Sequence, residues 1–326
     1  MKIGIIGATG EVGRKMITLL EESGLDNIEP VPFASVKSLS ENIIYKEREI
    51  PVRELTVESM KEKFDYLLFS AGSEVSKKLA PIAAKNGNIV IDNSSAFRRN
   101  PEIPLVVPEI NGKLLKNRKG IIANPNCTTI QMVLALADIR KSYNMKKIAV
   151  STYQSVSGAG KSAIKEFENQ EKGNSEINCF PKKIHRNIIP QIGYYLEDGY
   201  TEEEEKMRFE TKKILSSPDL LISPSAVRVP VIYGHSESIY CEFEQEVSLT
   251  EIKEIWEKNE ALKYSENLVT PQDCEDSDYV FLSRLRYGTD KKSISFWCVA
   301  DNIRVGAATN AVRIMLKHMQ LNVRED

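Results

Sequence analysis

The sequence lacks the features that mark membrane, secreted and nucleic-acid-binding proteins. No apolar run approaches the roughly 20 residues that a membrane-spanning helix needs, and the N-terminal apolar stretch meets Gly7 too early for a signal peptide. The 44 basic and 46 acidic side chains give a net charge of -2, which predicts no general attraction to nucleic acid or anionic membrane. We therefore expect a soluble, cytoplasmic protein that binds neither.

Cysteine and histidine are both scarce. The five cysteines are odd in number and widely spaced, and no two of them form a CxxC pair. This pattern argues against a disulfide framework and a zinc cluster, and we predict no bound metal. The chain has only three histidines, so few of its side chains can carry a proton near neutral pH.

The remaining composition is that of an ordinary globular protein of about two domains. The chain has 326 residues, of which 41% are hydrophobic and 28% are charged. Short apolar runs in its first part, such as Lys2–Ile6 and Phe64–Phe69, alternate with segments of helical spacing such as Glu11–Leu20. Strands that alternate with helices are typical of parallel sheets. We therefore predict a doubly wound, α/β dinucleotide-binding domain over residues 1–126.

Residues 127–305 show a different pattern, in which strand-like runs dominate the second half. Apolar and polar residues alternate over Ile239–Phe243, as in an antiparallel sheet with one covered face. The acidic run Glu202–Glu205 is predicted to be the solvated start of a helix, where negative charge suits the helix dipole. We therefore predict a mixed α+β domain over residues 127–305. A final helix over Gly306–Met319, within the segment 306–326, is expected to pack back on the first domain.

A glycine-rich loop follows the first predicted strand. Gly7, Gly10 and Gly13 have GxxGxxG spacing and lie between that strand and the first predicted helix. Glycines let a backbone turn tightly and approach a pyrophosphate, whose charge the free N–H groups of the helix start then bind. The position of the loop predicts a dinucleotide site rather than a glycine-rich turn without a ligand.

The end of the second predicted strand indicates which dinucleotide is bound. Enzymes that use NAD place an acidic residue there to hold the ribose 2′-hydroxyl. This chain has no carboxylate over Phe33–Ser38, and Ser35, Lys37 and Ser38 are available for a 2′-phosphate. We therefore predict NADP as the cofactor.

Cys127 lies between a predicted strand and an apolar helix. The partial positive charge and free N–H groups of a helix start favour a reactive thiolate, and they can stabilise an oxyanion at a bound carbonyl. The strand patterns around Cys241 and Cys298 favour buried structural thiols instead. A cysteine nucleophile with a dinucleotide suggests oxidation of an aldehyde through a thiohemiacetal and a thioester.

Such chemistry requires a proton carrier, which is usually histidine. His318 lies among charged residues of the last helix, and His185 lies in a basic run, so both are expected on the surface. His235 follows a predicted strand and has polar neighbours. It is the best candidate for general acid/base work.

Seven segments together resemble the aspartate-β-semialdehyde dehydrogenase family, in its bacterial branch. They are residues 7–13 (GATGEVG), 92–98 (DNSSAFR), 107–111 (VPEIN), 124–129 (NPNCTT), 154–160 (QSVSGAG), 228–235 (RVPVIYGH) and 306–311 (GAATNA). The resemblance runs nearly from end to end. It implies a homodimer, or a dimer of dimers, in which the second domain provides both catalytic residues and the dimer contact.

The resemblance also implies residue roles. Cys127 is implied as the nucleophile, His235 as the general acid/base and Gln154 as the residue that orients the substrate. The substrate and phosphate site is implied to contain Arg98, Asn126, Glu210, Lys213 and Arg228. The NADP site is implied to contain Gly7, Thr9, Gly10, Glu11, Val12, Ser35, Lys37, Ser38, Ser157, Gly158 and Asn310.

The implied reaction is a phosphorylating, NADP-dependent interconversion of L-aspartate 4-semialdehyde and L-4-aspartyl phosphate. It serves lysine (through diaminopimelate), threonine and methionine biosynthesis. The nearest alternative enzyme is N-acetyl-γ-glutamyl-phosphate reductase, whose substrate has no free ammonium for Glu210 to bind. An alternative of another class is a dinucleotide-binding paralogue without catalysis.

Overall fold

The computed structural model describes residues 1–322 and divides into two compact units. One unit contains Met1–Asn126 together with the C-terminal segment from Ala307, and the other contains Cys127–Gly306. The last four residues of the predicted 306–326 segment lie outside the described residues. Within residues 1–322, no helix has the length and apolar character needed to cross a membrane.

The first unit is built on a parallel sheet. Its strands are β1 (Lys2–Ile6), β2 (Glu29–Ala34), β3 (Ile43–Tyr45), β4 (Arg48–Ile50), β5 (Arg53–Glu54), β6 (Tyr66–Phe69), β7 (Ile89–Asp92) and β8 (Ile121–Ala123). The N-terminal helices of this unit are α1 (Glu11–Glu22), α2 (Ser73–Lys85) and α3 (Pro108–Asn111). Six strands form the sheet in the order β5-β2-β1-β6-β7-β8, and β3 pairs with β4 in a separate hairpin. The chain moves from β1 outward to β2 and later returns to β6, so the sheet has a switch point beside β1.

The first unit folds this way because its strands are apolar on both faces. Ile3, Ile5 and Ile6 of β1 are fully buried, as expected for a parallel strand that is covered on both sides. Helix α1 buries Met16 and Leu20 against this core. Each such side chain contributes about 1.5–3 kcal/mol when it is fully removed from water.

The second unit contains a mixed sheet. Its helices are α4 (Cys127–Ser142), α5 (Lys161–Glu171), α6 (Glu202–Ile214), α7 (Leu249–Glu257) and α8 (Pro271–Cys274). Its strands are β9 (Met145–Gln154), β10 (Leu221–Arg228), β11 (His235–Phe243), β12 (Leu262–Ser265), β13 (Val280–Tyr287) and β14 (Ser293–Ala300). They form one sheet in the order β10-β9-β11-β14-β13-β12. The central pairs β9–β11, β11–β14 and β14–β13 are antiparallel, and the two outer pairs are parallel.

One face of this mixed sheet is covered by α4. Every residue over 128–137 of this helix is buried, which is typical of a core helix. On β11, Ile239, Cys241 and Phe243 are buried, while Tyr240 and Glu242 on the opposite face are half-buried. The predicted fold class, an α/β dinucleotide-binding domain with a second α+β domain, is confirmed.

Helix α9 (Asn310–Leu321) packs in the first unit against α1 and β7. A π-helical turn at Arg304–Thr309 precedes it, so the regular helix begins later than the predicted start at Gly306. The surface position predicted for His318 is wrong. Its Nδ1 lies 2.7 Å from the Tyr66 hydroxyl and its Nε2 lies 2.8 Å from the carbonyl oxygen of Arg118.

Candidate active site

The glycine loop joins β1 directly to α1, with Gly10 as the residue before the helix. Gly7 has φ +80°, and a Cβ at this position would lie 2.8 Å from the carbonyl oxygen of Ser70. A Cβ at Gly13 would lie 2.2 Å from the carbonyl oxygen of Gly7. Both positions therefore require glycine, because the loop packs against β6 and the helix packs against the loop.

A cavity of about 600 Å³ opens at the carboxyl ends of the strands in the first unit. Gly7, Thr9, Gly10 and Ser35 of the predicted cofactor set line it. Its position is the one at which parallel sheets bind dinucleotides. The residues that the sequence did not single out are Leu55, Thr56, Val57, Ser70, Ala71, Val75, Lys78 and Leu79. They follow β5 and β6, far along the chain from the glycine loop.

The other predicted cofactor residues occupy several places. Glu11 and Val12 begin α1, and Lys37 and Ser38 lie in a short 3₁₀ turn after β2, with Lys37 exposed. Asn310 of α9 is buried in the first unit, where its amide donates to the carbonyl oxygen of Val106 and to Asn124 Oδ1. Ser157 and Gly158 belong to the second unit, in a 3₁₀ turn over Val156–Ala159.

Cys127 is the first residue of α4 and is half-buried. The positive charge of Arg228 acts on its sulfur within the same unit. A helix start and a nearby guanidinium both favour the thiolate over the thiol. Burial favours the neutral thiol at the other buried cysteines. It raises the pKa of Cys274 to about 12 and also raises the pKa values of Cys241 and Cys298.

His235 is fully buried at the start of β11. Its Nδ1 accepts a 3.1 Å hydrogen bond from the backbone N–H of Ser155, and its Nε2 has no hydrogen-bond partner within residues 1–322. Burial, aided by the charge of Arg228, lowers the pKa of His235 to about 3, although Glu203 opposes the shift. The imidazole is therefore neutral at physiological pH.

Arg228 ends β10 and is also buried. Its Nη1 donates a 2.6 Å hydrogen bond to the carbonyl oxygen of Ser155. Burial lowers the pKa of Arg228, and the charges of Glu203 and Cys127 oppose that change. A Cβ on Gly158 would lie 3.1 Å from Arg228 Nη1 and 3.2 Å from His235 Nε2. The glycine thus leaves open a small space beside both nitrogens.

Gln154 ends β9 and is held at both ends of its amide. Its Oε1 accepts a 3.1 Å hydrogen bond from Thr152 Oγ1, and its Nε2 donates a 3.1 Å hydrogen bond to Glu203 Oε1. Glu203 also bonds to Lys206 at 3.0 Å. The solvated helix start predicted for the acidic run is therefore only partly correct, because Glu203 and Glu204 are buried.

The remaining predicted substrate residues divide between the two units. Glu210 is fully buried in α6, and Lys213 lies one turn later in the same helix. Burial lowers the pKa of Lys213, and the negative charge of Glu210 opposes this. Arg98 and Asn126 belong to the first unit, where the Arg98 guanidinium donates to the carbonyl oxygen of Asn93 at 2.6 Å.

Glu237 is a buried carboxyl that sequence reasoning missed. It lies two residues after His235 and pairs across the sheet with Thr152 and Cys298. Neither carboxyl oxygen reaches full hydrogen-bond geometry with any of residues 1–322. Burial raises the pKa of Glu237 well above its ordinary value, and the nearby Gln131 amide offsets only part of this effect. The folded protein therefore holds a proton here that the unfolded chain releases near neutral pH.

This proton makes stability depend on pH. As pH rises above the carboxyl pKa of the unfolded chain, the folded state loses stability until the pKa of the folded carboxyl is reached. We expect Glu237→Gln to remove this dependence and to raise Tm by about 2–5 °C at neutral pH, with little change near pH 4. Thermal unfolding across pH tests this, with the half-buried Glu242→Gln of the same strand as the control. A pH dependence shared by wild type and Glu237→Gln would contradict it.

Known protein families match both units. Residues 2–118 match the family model "Semialdehyde dehydrogenase, NAD binding domain", and residues 136–305 match "Semialdehyde dehydrogenase, dimerisation domain". The chain is 45% identical to the aspartate-semialdehyde dehydrogenase of Aquifex aeolicus, with 96% of each chain covered. It is 40% identical to that of Bacillus subtilis, with 99% covered.

A solved structure of similar fold comes from the same family as the sequence relatives. The aspartate semialdehyde dehydrogenase II of Vibrio cholerae, crystallised as a complex with ASA, superposes with a TM-score of 0.93. It is 39% identical and 99% of each chain is covered. These matches confirm the resemblance that the motifs indicated, together with a nicotinamide-dinucleotide-binding first unit. The chain thus belongs to the aspartate-semialdehyde dehydrogenase family of oxidoreductases.

Proposed function

We propose that the protein catalyses the reversible, NADP-dependent, phosphorylating oxidation of L-aspartate 4-semialdehyde to L-4-aspartyl phosphate. In the reductive direction this reaction feeds lysine (through diaminopimelate), threonine and methionine biosynthesis. One observation carries the proposal. Cys127 begins a buried helix of the second unit and is subject there to the charge of Arg228, which itself lies beside His235 and Gly158.

In the proposed oxidative direction, the Cys127 thiolate attacks the aldehyde carbon and forms the alkoxide of a thiohemiacetal. A bound nicotinamide dinucleotide, which Gly7, Thr9, Gly10 and Ser35 would hold, would supply the acceptor for the hydride of this carbon, and the thioester would remain on the sulfur. Inorganic phosphate then attacks the thioester, and the Cys127–carbon bond breaks to release the acyl phosphate and the thiolate. The N–H groups at the start of α4 are proposed to stabilise the oxyanions formed in these steps.

The substrate has charges of both signs, which the candidate residues match. The Arg228 guanidinium is proposed to bind the substrate carboxylate, and buried Glu210 is proposed to bind its ammonium group. Arg98 and Lys213 are proposed to bind phosphate. Gln154 is proposed to orient the substrate, since Thr152 and Glu203 fix its amide. Asn126, directly before the nucleophile, completes the proposed set.

The assay that tests this function uses the purified wild-type protein with aspartate semialdehyde, NADP and phosphate. We expect reduced nicotinamide to form only when all three are present, with acyl phosphate as the second product. Bound substrate without turnover would favour a non-catalytic paralogue. Faster turnover of the N-acetylated glutamate semialdehyde would favour the alternative reductase, whose substrate lacks the ammonium group.

The preference for NADP is proposed from the turn after β2. Lys37 is exposed in that turn, Ser35 lines the 600 Å³ cavity, and Ser38 follows closely. We expect Lys37→Ala to weaken NADP binding by about 10-fold or more, because a charge-assisted contact with the 2′-phosphate is lost. NAD binding should change little. Calorimetric titration measures both, with exposed Lys85→Ala as the control, and equal weakening of the two cofactors would contradict the assignment.

A homodimer, or a dimer of dimers, is proposed from the dimerisation-domain match. The second unit also leaves large apolar side chains exposed, as expected where a second copy binds. Examples are Tyr153, Ile188, Tyr194, Tyr195 and Leu221. Analytical ultracentrifugation tests this proposal, and a monomer at micromolar concentration would contradict it.

We propose the cytoplasm as the cellular location. None of the five cysteines forms a disulfide within residues 1–322, and Cys179 is exposed. Free exposed thiols are typical of a reducing compartment.

A further inference from the structure

Glu203 is a buried carboxylate in the first turn of α6, although it is one of four consecutive glutamates. Thr201 precedes the helix, and its side chain forms a reciprocal capping box with Glu204. Glu204 Oε1 also accepts a 2.9 Å hydrogen bond from the backbone N–H of Ala226 on β10. The first turn of α6 is therefore tied to β10, and this contact holds Glu203 near the ends of β9 and β10.

The Glu203 carboxylate determines which way the Gln154 amide faces. Gln154 Nε2 donates a 3.1 Å hydrogen bond to Glu203 Oε1, while Gln154 Oε1 accepts a 3.1 Å hydrogen bond from Thr152 Oγ1. A carboxylate can only accept hydrogen bonds, so it selects the NH₂ end of the amide. That NH₂ group has a second hydrogen, which can be donated to an oxygen of the substrate.

The negative charge of Glu203 also acts on two other residues of the candidate site. Arg228, which pairs with Gln154 between β10 and β9, is buried, and the charge of Glu203 opposes the lowering of its pKa by burial. At His235, burial and the charge of Arg228 lower the pKa to about 3, whereas Glu203 favours the protonated ring. Glu237, on the same strand, is kept neutral by its own burial. Glu203 is thus a carboxylate that opposes Arg228 at the ring of His235.

We propose that Glu203 is a positioning residue for the reaction at Cys127: it turns the Gln154 amide towards the substrate, and its charge supports the proton that His235 carries. This proposal rests on the proposed function and adds a residue to it. It also uses the general acid/base role that the sequence resemblance implies for His235. Glu203 itself contacts neither substrate nor cofactor in this arrangement, because it acts through Gln154 and His235.

Substrate binding makes the charge of Glu203 more effective at His235. A general base works best when its pKa lies near the operating pH, and the positive charge of Arg228 acts against this. A substrate carboxylate bound to Arg228, as proposed above, offsets that positive charge, and so does a thiolate at Cys127, whose charge also acts on Arg228. The His235 ring then gains proton affinity in the substrate complex, and Glu203 supplies part of that gain.

The variant Glu203→Gln removes the charge and keeps an oxygen that can accept from Gln154. In the oxidative direction we expect kcat to fall by about 3- to 10-fold, because His235 becomes a weaker base, while KM for aspartate semialdehyde stays within about 2-fold. The acidic limb of the pH profile of kcat should move to lower pH by at least about 0.5 unit, since loss of a nearby negative charge lowers the pKa of His235. The matched control is Glu202→Gln at the exposed neighbouring position, which should keep the wild-type profile.

Two further variants separate the two roles of Glu203. Glu203→Leu removes the acceptor as well as the charge, so the Gln154 amide loses its fixed direction, and we expect KM to rise by about 10-fold in addition to the fall in kcat. Glu203→Asp keeps the charge, so its acidic limb should stay at the wild-type pH, a rescue that a purely structural residue would not give. Thermal unfolding shows which variants fold, and the nearly isosteric Glu203→Gln keeps the test valid if Glu203→Leu does not.

Failure of this proposal is distinguishable from failure of the proposed function. Wild-type kcat with an unshifted acidic limb in Glu203→Gln would overturn the role in supporting the His235 proton. An unchanged KM in folded Glu203→Leu would overturn the role in orienting Gln154. Both results require turnover by the wild type and therefore leave the proposed function standing, whereas absence of wild-type turnover would overturn the function and this proposal with it.

Discussion

Replacing Cys127 with serine should reduce the phosphorylating dehydrogenase reaction by at least about 10³-fold while leaving NADP affinity nearly unchanged. The serine hydroxyl is similar in size, so the start of α4 should fold as before. A hydroxyl ionises far less readily than a thiol, and the charge of Arg228 with the helix start cannot supply the missing anion. The glycine loop and the cavity that it lines belong to the other unit, so the cofactor should bind normally.

The matched control is Cys179→Ser, which changes an exposed thiol of the same unit. It should keep full activity. Mass spectrometry after quenching with substrate should find an acyl adduct on Cys127 in the wild type and in the control, but not in Cys127→Ser. Equal loss of activity and NADP affinity would instead show that the cysteine has a structural role.

The elements around the nucleophile could be predicted because local sequence determines them. The glycine loop follows a short apolar strand and precedes an amphipathic helix, and the structure has β1, the loop and α1 in that order. Cys127 was expected at a helix start, and it is the first residue of α4. In both cases the pattern lies within about 20 residues, where turn chemistry and hydrophobic spacing act directly.

The residues that support the site could not be predicted, because their environment comes from distant parts of the chain. Glu203 is one of four consecutive glutamates, and only the packing of α6 distinguishes it from its exposed neighbour Glu202. Ser155 and Asn302 are separated by 147 positions, and only folding brings Ser155 Oγ within 3.0 Å of Asn302 Oδ1. His318 was misplaced because its charged neighbours suggested a solvated face, whereas Tyr66 and Arg118 enclose its ring.

The second large effect is expected from the smallest residue near the reacting groups. Gly158→Ala should lower kcat/KM by about 100-fold, because misplacement of reacting groups by about 1 Å can cost that much. The added methyl would lie 3.1 Å from Arg228 Nη1 and 3.2 Å from His235 Nε2, in the space that a substrate oxygen needs to reach either nitrogen. Gly158 does not adopt a left-handed backbone conformation, so alanine should not strain the turn.

The control for this variant is Gly112→Ala in the first unit, where the methyl would meet the flexible side chain of Lys317 at 3.4 Å and Pro108 Cβ at 3.9 Å. Both variants should unfold at nearly the wild-type temperature, and only Gly158→Ala should lose activity. The ¹⁵N signal of His235 Nε2 should also shift in Gly158→Ala, because the methyl contacts that atom. Full activity in Gly158→Ala would show that substrate does not enter the space between Arg228 and His235, and the substrate position proposed above would then be wrong.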